Sequence, residues 1–185
     1  MSTRTLPSRQ RGVTLVELVL FIVIIGVATS AILGVMSLTT SHSADPQLRK
    51  QALAVAEGML EEITLARITY CDPTDPAAET ATSSAGCAIP EGLGREAGGG
   101  LRPYDNVSDY GSASGAAVEY STDAAGAPFS ATGGTLKAFV KITAGSLNGL
   151  PAGEVLHIEV RVPYGDKQEI VLDGYRTRYA PNNIP

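Results

Sequence analysis

The chain has 185 residues, with 14 basic against 19 acidic side chains and a formal net charge of −5. That length suits one modest domain plus a long helix. The acidic balance argues against nucleic-acid binding, which favours a basic patch.

The first residues, Met1 to Gly12, carry Arg4, Arg9 and Arg11 and no acid. Val13, Thr14, Leu15, Val16 and Glu17 follow, and then an uncharged apolar run from Leu18 to about Leu38. At ~1.5 Å per residue this run can cross a bilayer core of ~30 Å. Positive charge ahead of an apolar stretch keeps that end cytoplasmic. A secretory signal peptide has the same order of parts, but the run is long for one and no small-x-small cleavage site stands out, Ala28-Thr29-Ser30 being the nearest. A plain membrane anchor accounts for the arginines and the length. It does not account for Glu17, because an unpaired carboxylate in an apolar helix is costly.

Arg11-Gly12-Val13-Thr14-Leu15-Val16-Glu17 resembles the class III signal of type IV prepilins and pseudopilins. The resemblance implies cleavage between Gly12 and Val13 by a prepilin peptidase, N-methylation of Val13, and a fold in which a long N-terminal helix packs on a C-terminal antiparallel sheet. Val13 departs from the usual Phe but is apolar. Glu17 falls fifth after the cut, where the family places a glutamate that pairs with the new amine of a neighbouring subunit. Such a pair registers the incoming helix in a low-dielectric bundle more than it adds net stability. A carboxylate reaching back to the cytoplasmic interface is the alternative role. Gly26, Ser30 and Gly34 recur at i, i+4 and i+8, a small-residue stripe that lets helices approach closely, although Gly is common in membrane helices anyway. Removal of the leader takes away three of the 14 basic residues, leaving 11 against 19 acidic ones and a net charge of −8.

After the apolar run, Ser43 or Asp45 can cap a helical segment with Pro46 in its first turn. Leu48, Ala52, Val55, Ala56, Met59, Leu60, Ile63 and Ala66 recur at steps of mostly three and four and define an amphipathic helix. Arg49, Lys50, Glu57, Glu61, Glu62 and Arg67 are assigned to its outer face. The helix is expected to end near Tyr70, because Asp72-Pro73 and Asp75-Pro76 stop it. Residues from about Cys71 to Ala131 lack periodicity and are rich in small residues, with Gly98 to Gly100 a flexible point. Val118 to Tyr120 is a candidate short strand.

Cys71 and Cys87 both follow the helix. In a periplasmic segment a disulfide between them is the expectation, stabilising by roughly 3 kcal/mol through loop closure. Zinc is a poor competitor, since His42 and His157 show no ligand spacing. The chain ends in strands: Leu136 to Thr143, Gly153 to Val162 with Leu156, Ile158, Val160 and Val162 on one face, and Gln168 to Asp173. Pro163 to Asp166 is read as a turn, and the change of phase from Ile170 and Leu172 to Tyr175 and Tyr179 as a bulge or strand end at Gly174.

The expected organisation is therefore an α+β pilin-like fold: leader 1–12, membrane and filament-core helix 13–38, amphipathic helix 39–69, irregular connection 70–131 with the Cys71–Cys87 loop, and antiparallel sheet 132–185. Ser43 to Pro46, Gln51 to Glu57, Leu60 to Ile63, Tyr70 to Pro73 and Tyr104 to Tyr110 together resemble the MshD family, minor pilin-like proteins of the mannose-sensitive haemagglutinin pilus system. The resemblance implies an inner-membrane precursor with a periplasmic domain that enters a pilus or pseudopilus. Its partners would be the peptidase, other pilins and minor pilins, the inner-membrane assembly platform and membrane lipid, with no nucleic acid. A minor pseudopilin of type II secretion and a tip adhesin are the alternative functions.

No catalytic constellation is present. There is no Walker-type loop, and Gly111-Ser112-Ala113-Ser114-Gly115 has the wrong spacing for a nucleophile elbow. His157 alternates outward on a strand, and an anchored periplasmic enzyme is disfavoured on these grounds. Asn106-Val107-Ser108 fits the N-x-S pattern but means little in a bacterial chain. Asp105, Asp109 and Asp123 raise a calcium site but match no EF-hand spacing, so neither metal nor cofactor is expected.

Overall fold

The computed structural model describes residues 12–96, 100–131, 134–165 and 167–182, with the backbone alone for 38–45. The leader arginines, the His42 side chain and most of the Gly98–Gly100 stretch lie outside the described residues. The chain divides into two compact units, Met1–Ala44 and Asp45–Pro185. Helix α1 is assigned over Leu15–Leu65, and Pro46 lies within it.

In the first unit, Leu15–Ser37 is a 23-residue apolar stretch with no buried residue. Thr14 begins the helix: its Oγ1 accepts the Glu17 amide at 3.3 Å and its carbonyl accepts the Leu18 amide at 3.1 Å, satisfying two of the free donors of a helix start.

In the second unit, the end of α1 buries Ala52, Ala56, Met59 and Ile63. Leu48, Val55 and Leu60 pack half-buried against that core, as the three-four spacing predicts. The helix stops at Leu65 rather than near Tyr70. Competing backbone bonds end it: the Arg67 amide donates to Asp105 O (3.1 Å), the Val107 amide to Arg67 O (2.8 Å), and further on the Glu91 amide to Tyr70 O (2.9 Å). Residues 67–72 are thus held extended between two segments of the connection.

Among the described residues six strands follow: β1 (Val118–Tyr120), β2 (Ser130–Ala131), β3 (Gly134–Thr135), β4 (Ala138–Ala144), β5 (Val155–Tyr164) and β6 (Gln168–Thr177). β2 and β3 form a small ribbon, while β1-β4-β5-β6 make a four-stranded antiparallel sheet. Strand β1 therefore extends the expected 132–185 sheet back into the connection. Ala138, Val140, Ile142, Leu156, Ile158, Val160, Val162 and Ile170 are buried in one core with the helix stripe, the helix-on-sheet layering of an α+β fold.

Two details of the β5-β6 hairpin correct the expectation. Pro163 and Tyr164 are not turn residues: they pair with Glu169 and Gln168. Pro163 lies beyond the last β4 partner, Phe139 opposite Arg161, where a residue without an N–H is tolerated. There is also no bulge at Gly174. It pairs with Ile158 in unbroken register, as Tyr175 does with His157. Gly174 is on the inward phase, and the missing side chain is explained by the helix: a Cβ there would lie 3.0 Å from Leu60 Cδ1.

Candidate functional site

The connection is fastened to α1 by a buried charge pair. Arg102 Nε donates to Glu62 Oε1 at 2.9 Å and Nη2 to Oε2 at 2.5 Å, with side-chain exposures of 9% and 12%. The fork of a guanidinium matches a carboxylate in this bidentate way. Arg102 Nη1 donates to Thr122 O, the guanidinium lies 4.9 Å over the Tyr120 ring, and the Tyr110 hydroxyl donates to Glu62 Oε1 at 2.8 Å. Burial, then the Glu62 carboxylate, push the Tyr110 hydroxyl up, so it stays a donor. Glu62 is therefore not an outer-face residue. It is the anchor of the Tyr104–Tyr110–Tyr120 cluster, whose neighbouring ring centroids are 4.8 and 6.2 Å apart.

Cys71 and Cys87 are bonded, with Cα atoms 5.4 Å apart. Inside their loop the buried Asp75 accepts the Ile89 amide (2.5 Å) and the Ala77 amide (2.8 Å), and these bonds hold its carboxyl below the usual range. From the far end of the chain, Asn182 Nδ2 donates to Ala78 O and Ala81 O.

Beside this loop, five acids from separate turns converge. Asp72 and Asp105 share a neighbourhood with Glu91, and Glu91 shares another with Glu96 and Asp109; in each trio one carboxylate oxygen per residue lies within 4.8 Å of the others. Gly94, at φ +101° with its amide on Ser108 O at 2.9 Å, reverses the chain between Glu91 and Glu96. Asn106 positions Asp109 by a capping box over the 3₁₀ turn Val107–Tyr110. Its Nδ2 donates to Thr69 Oγ1 at 2.8 Å, so the N-x-S asparagine is a buried turn cap. Burial, then Glu96, Asp109 and Asp105, push the Glu91 carboxyl up to about 9. Burial, then Glu96 and Asp105, push Asp109 up to about 7. Asp105 and Asp109 thus do come together, but with acids that no spacing motif connects to them. Asp123 spends its Oδ1 on the amides of Ala125 and Ala127.

In the N-terminal unit, Gly12, Val13 and Thr14 precede the helix and are exposed. Glu17 stands in the first turn, where a carboxylate complements the positive end of the helix. Gly26, Ser30 and Gly34 are exposed, and a Cβ built at either glycine meets nothing within 4 Å. Ser30 Oγ donates to Val27 O within the helix at 2.8 Å. His157 Nε2 lies 2.7 Å from Asp173 Oδ1 and its ring 4.8 Å from that of Tyr175, a paired strand residue.

Residues 7–38 match the family model described as the prokaryotic N-terminal methylation motif. The N-terminus is similar to that of type IV pilin-like proteins. No curated protein matches the chain, and no solved structure does. The matched residues take in Gly12, Val13, Glu17 and the Gly26–Ser30–Gly34 stripe. The chain is an apolar helix that suits membrane anchorage, followed by a disulfide-bonded α+β unit. Sequence reasoning missed the Glu62–Arg102 anchor and the Glu91–Glu96–Asp109 cluster. A charge on the margin of an apolar stripe is the one signal that could have pointed to Glu62.

Proposed function

We propose that this chain is a minor, MshD-like type IV pilin-like subunit that works by assembly and not by catalysis. The observation that carries the reading is the methylation motif over residues 7–38, placed where exposed residues lead into α1. In this reading the precursor sits in the inner membrane with its N-terminus cytoplasmic and its second unit periplasmic. Prepilin peptidase cuts between Gly12 and Val13 and methylates Val13. The assembly platform then draws the subunit into a filament or its priming complex.

The chemistry follows from an apolar surface without a cover in the single chain. Leu15–Ser37 exposes Leu15, Phe21, Ile24, Leu33 and their neighbours, so lipid or other pilin helices must surround it. Gly26, Ser30 and Gly34 would give close helix approach. The Glu17 carboxylate would meet the Val13 amine of the next subunit. The Cys71–Cys87 bond supports a domain that folds in an oxidising compartment.

Mass spectrometry of sheared surface filaments and of inner membranes tests this. A methylated Val13 terminus in the filaments is the expected result. The processed terminus in membranes alone would favour a pseudopilin of type II secretion. Retention of Met1 to Gly12 in every fraction would overturn the reading. Glu17→Ala is expected to leave processing largely intact and impair incorporation; normal incorporation would sink the pairing role. A tip adhesin is the outcome if deleting the Cys71–Cys87 loop abolishes attachment while pili persist.

A further inference from the structure

We propose that the outer edge of β6 takes a fifth strand from a partner protein: an extended segment with apolar residues at every second position and basic residues between them. β6 ends the sheet on one side, since the order is β1-β4-β5-β6. The register shows which of its backbone groups are spent on β5. Just past the strand, the Arg178 amide donates to Glu154 O at 2.9 Å, in step with Val155 opposite Thr177. In an antiparallel ladder, bonded pairs alternate with unbonded ones. The even-numbered residues of β6 therefore face β5, and Glu169, Val171, Asp173 and Tyr175 turn their N–H and C=O groups away from it. The other side of β5 gives the same phase: the Gly145 amide donates to Val155 O at 2.9 Å, so the odd-numbered residues of β5 serve β4 and the even-numbered ones serve β6. Among the described residues, no backbone group bonds to the four outward residues.

Such a row is selective about its occupant. N–H and C=O groups that repeat every two residues, about 6.8 Å apart, are matched by another extended backbone. Most sheet edges are blunted by brevity, proline, lysine or a bulge. The opposite edge obeys this rule. β1 has three residues, and directly after it the Ser121 carbonyl accepts the Phe129 amide at 3.0 Å. β6 has ten residues, none of them proline or lysine, and its pairing with β5 is unbroken.

The side chains define the partner further. On the helix-facing side, Leu172 is half-buried, and a Cβ on Gly174 would lie 3.0 Å from Leu60 Cδ1. Leu60 and Leu53 share a helix face, being seven residues apart, and both are only half-buried. Apolar residues on that side of an added strand would extend the cover of these leucines. On the other side Glu169 and Asp173 alternate with Val171 and Tyr175, and all four are exposed. Glu169 lies 3.8 Å from Arg161, and Asp173 2.7 Å from His157; solvent-facing pairs of this kind hold weakly. Basic residues opposite the two acids would add favourable cross-strand pairs. A second copy of β6 is a poor occupant, because antiparallel registers that match its faces over most of its length bring acid against acid, directly or on the diagonal. The edge belongs to the second unit and acts apart from the apolar N-terminal stretch.

The test uses the full chain in detergent. The probe is a fluorescent synthetic peptide with valine at every second position and lysine and threonine by turns between. Saturable binding with a Kd below about 1 mM is expected. Amide hydrogen exchange at Glu169, Val171, Asp173 and Tyr175 should be fast in the free chain and slow at least about tenfold at saturating peptide. Val171→Pro should abolish binding and keep the circular-dichroism melt, because this N–H faces away from β5 and proline is tolerated at such an edge position. Should that variant unfold, Glu169→Lys combined with Asp173→Lys takes its place. It keeps every backbone group, and it should weaken the lysine peptide at least about tenfold while gaining affinity for the same peptide with glutamate in place of lysine. No saturable binding up to about 1 mM, or binding without slowed exchange at the four amides, would overturn the proposal. A dimer of the chain in sedimentation that Val171→Pro dissolves would overturn it as well, since the edge would then belong to a second copy. None of these results depends on whether the chain enters a filament.

Discussion

Two stretches of α1 put similar residues to different uses. Leu15–Ser37 is apolar on nearly every side and has no buried residue. The stretch that opens the second unit is apolar on one stripe only, and there Ala52, Ala56 and Ile63 are fully buried under the sheet. A helix apolar on all sides suits lipid or other helices as its surroundings. A single stripe is what a sheet face can cover. The difference separates the residues that hold the domain together from those that act outside it.

The largest effect should come from undoing the buried pair. Arg102→Ala leaves Glu62 buried without its counter-ion and should cost the second unit about 3–5 kcal/mol, read as a lower urea midpoint by circular dichroism. A stability equal to that of the native chain would mean the connection is not fastened there. Next, Ile63→Ala and Ile24→Ala should part company. The first opens a cavity and should cost about 2–5 kcal/mol, whereas the second, at 63% exposure, should leave domain unfolding unchanged. A comparable loss at Ile24 would contradict the division into two units. Cys71→Ser should cost roughly 3 kcal/mol, and thiol labelling of the native protein without reductant should fail at both cysteines.

The smallest predicted effect is a pH slope. Folding raises the Glu91 carboxyl from 4.5 to about 9 and that of Asp109 from 3.8 to about 7. The native state keeps these protons after the unfolded chain has released them. Their contribution is therefore fully present below about 4 and is lost as pH rises toward 9. The thermal midpoint should fall between pH 5 and pH 9, as read from melts at matched ionic strength. Asp75 acts in the opposite sense. Its lowered carboxyl contributes above its ordinary value of 3.8, and that contribution disappears as pH falls through the lowered value. A midpoint that rises steadily from pH 5 to pH 9 would show that the cluster is charged and otherwise compensated.

Much of the fold was readable before any coordinates. Steps of three and four mark the buried stripe from Ala52 to Ala66, and strict alternation marks Leu156 to Val162, because periods of 3.6 and 2 place side chains on one face whatever the partner is. Gly174 was misread because a residue with no side chain carries no phase; only the register with Ile158 and the nearness of Leu60 give it one. Glu62 was misplaced because its partner Arg102 is 40 residues away. Of the candidate site, the cysteines were visible as a pair, whereas Glu91, Glu96 and Asp109 look like scattered surface acids in a chain that has 19 acidic residues.

What the order of residues determined here is whatever depends on neighbours: the motif around Gly12 and Glu17, the apolar run, the helical stripe and the strand faces. What only the tertiary structure decided is whatever depends on distant segments meeting. The helix end at Leu65 was set by competing bonds from Asp105 and Val107. The burial of Glu62 was set by Arg102, and the convergence of three carboxylates by the turns at Gly94 and Asn106. Local periodicity is carried by bond geometry and survives in the unfolded chain's sequence. Charge pairing and desolvation exist only after loops have closed, so no window of sequence contains them.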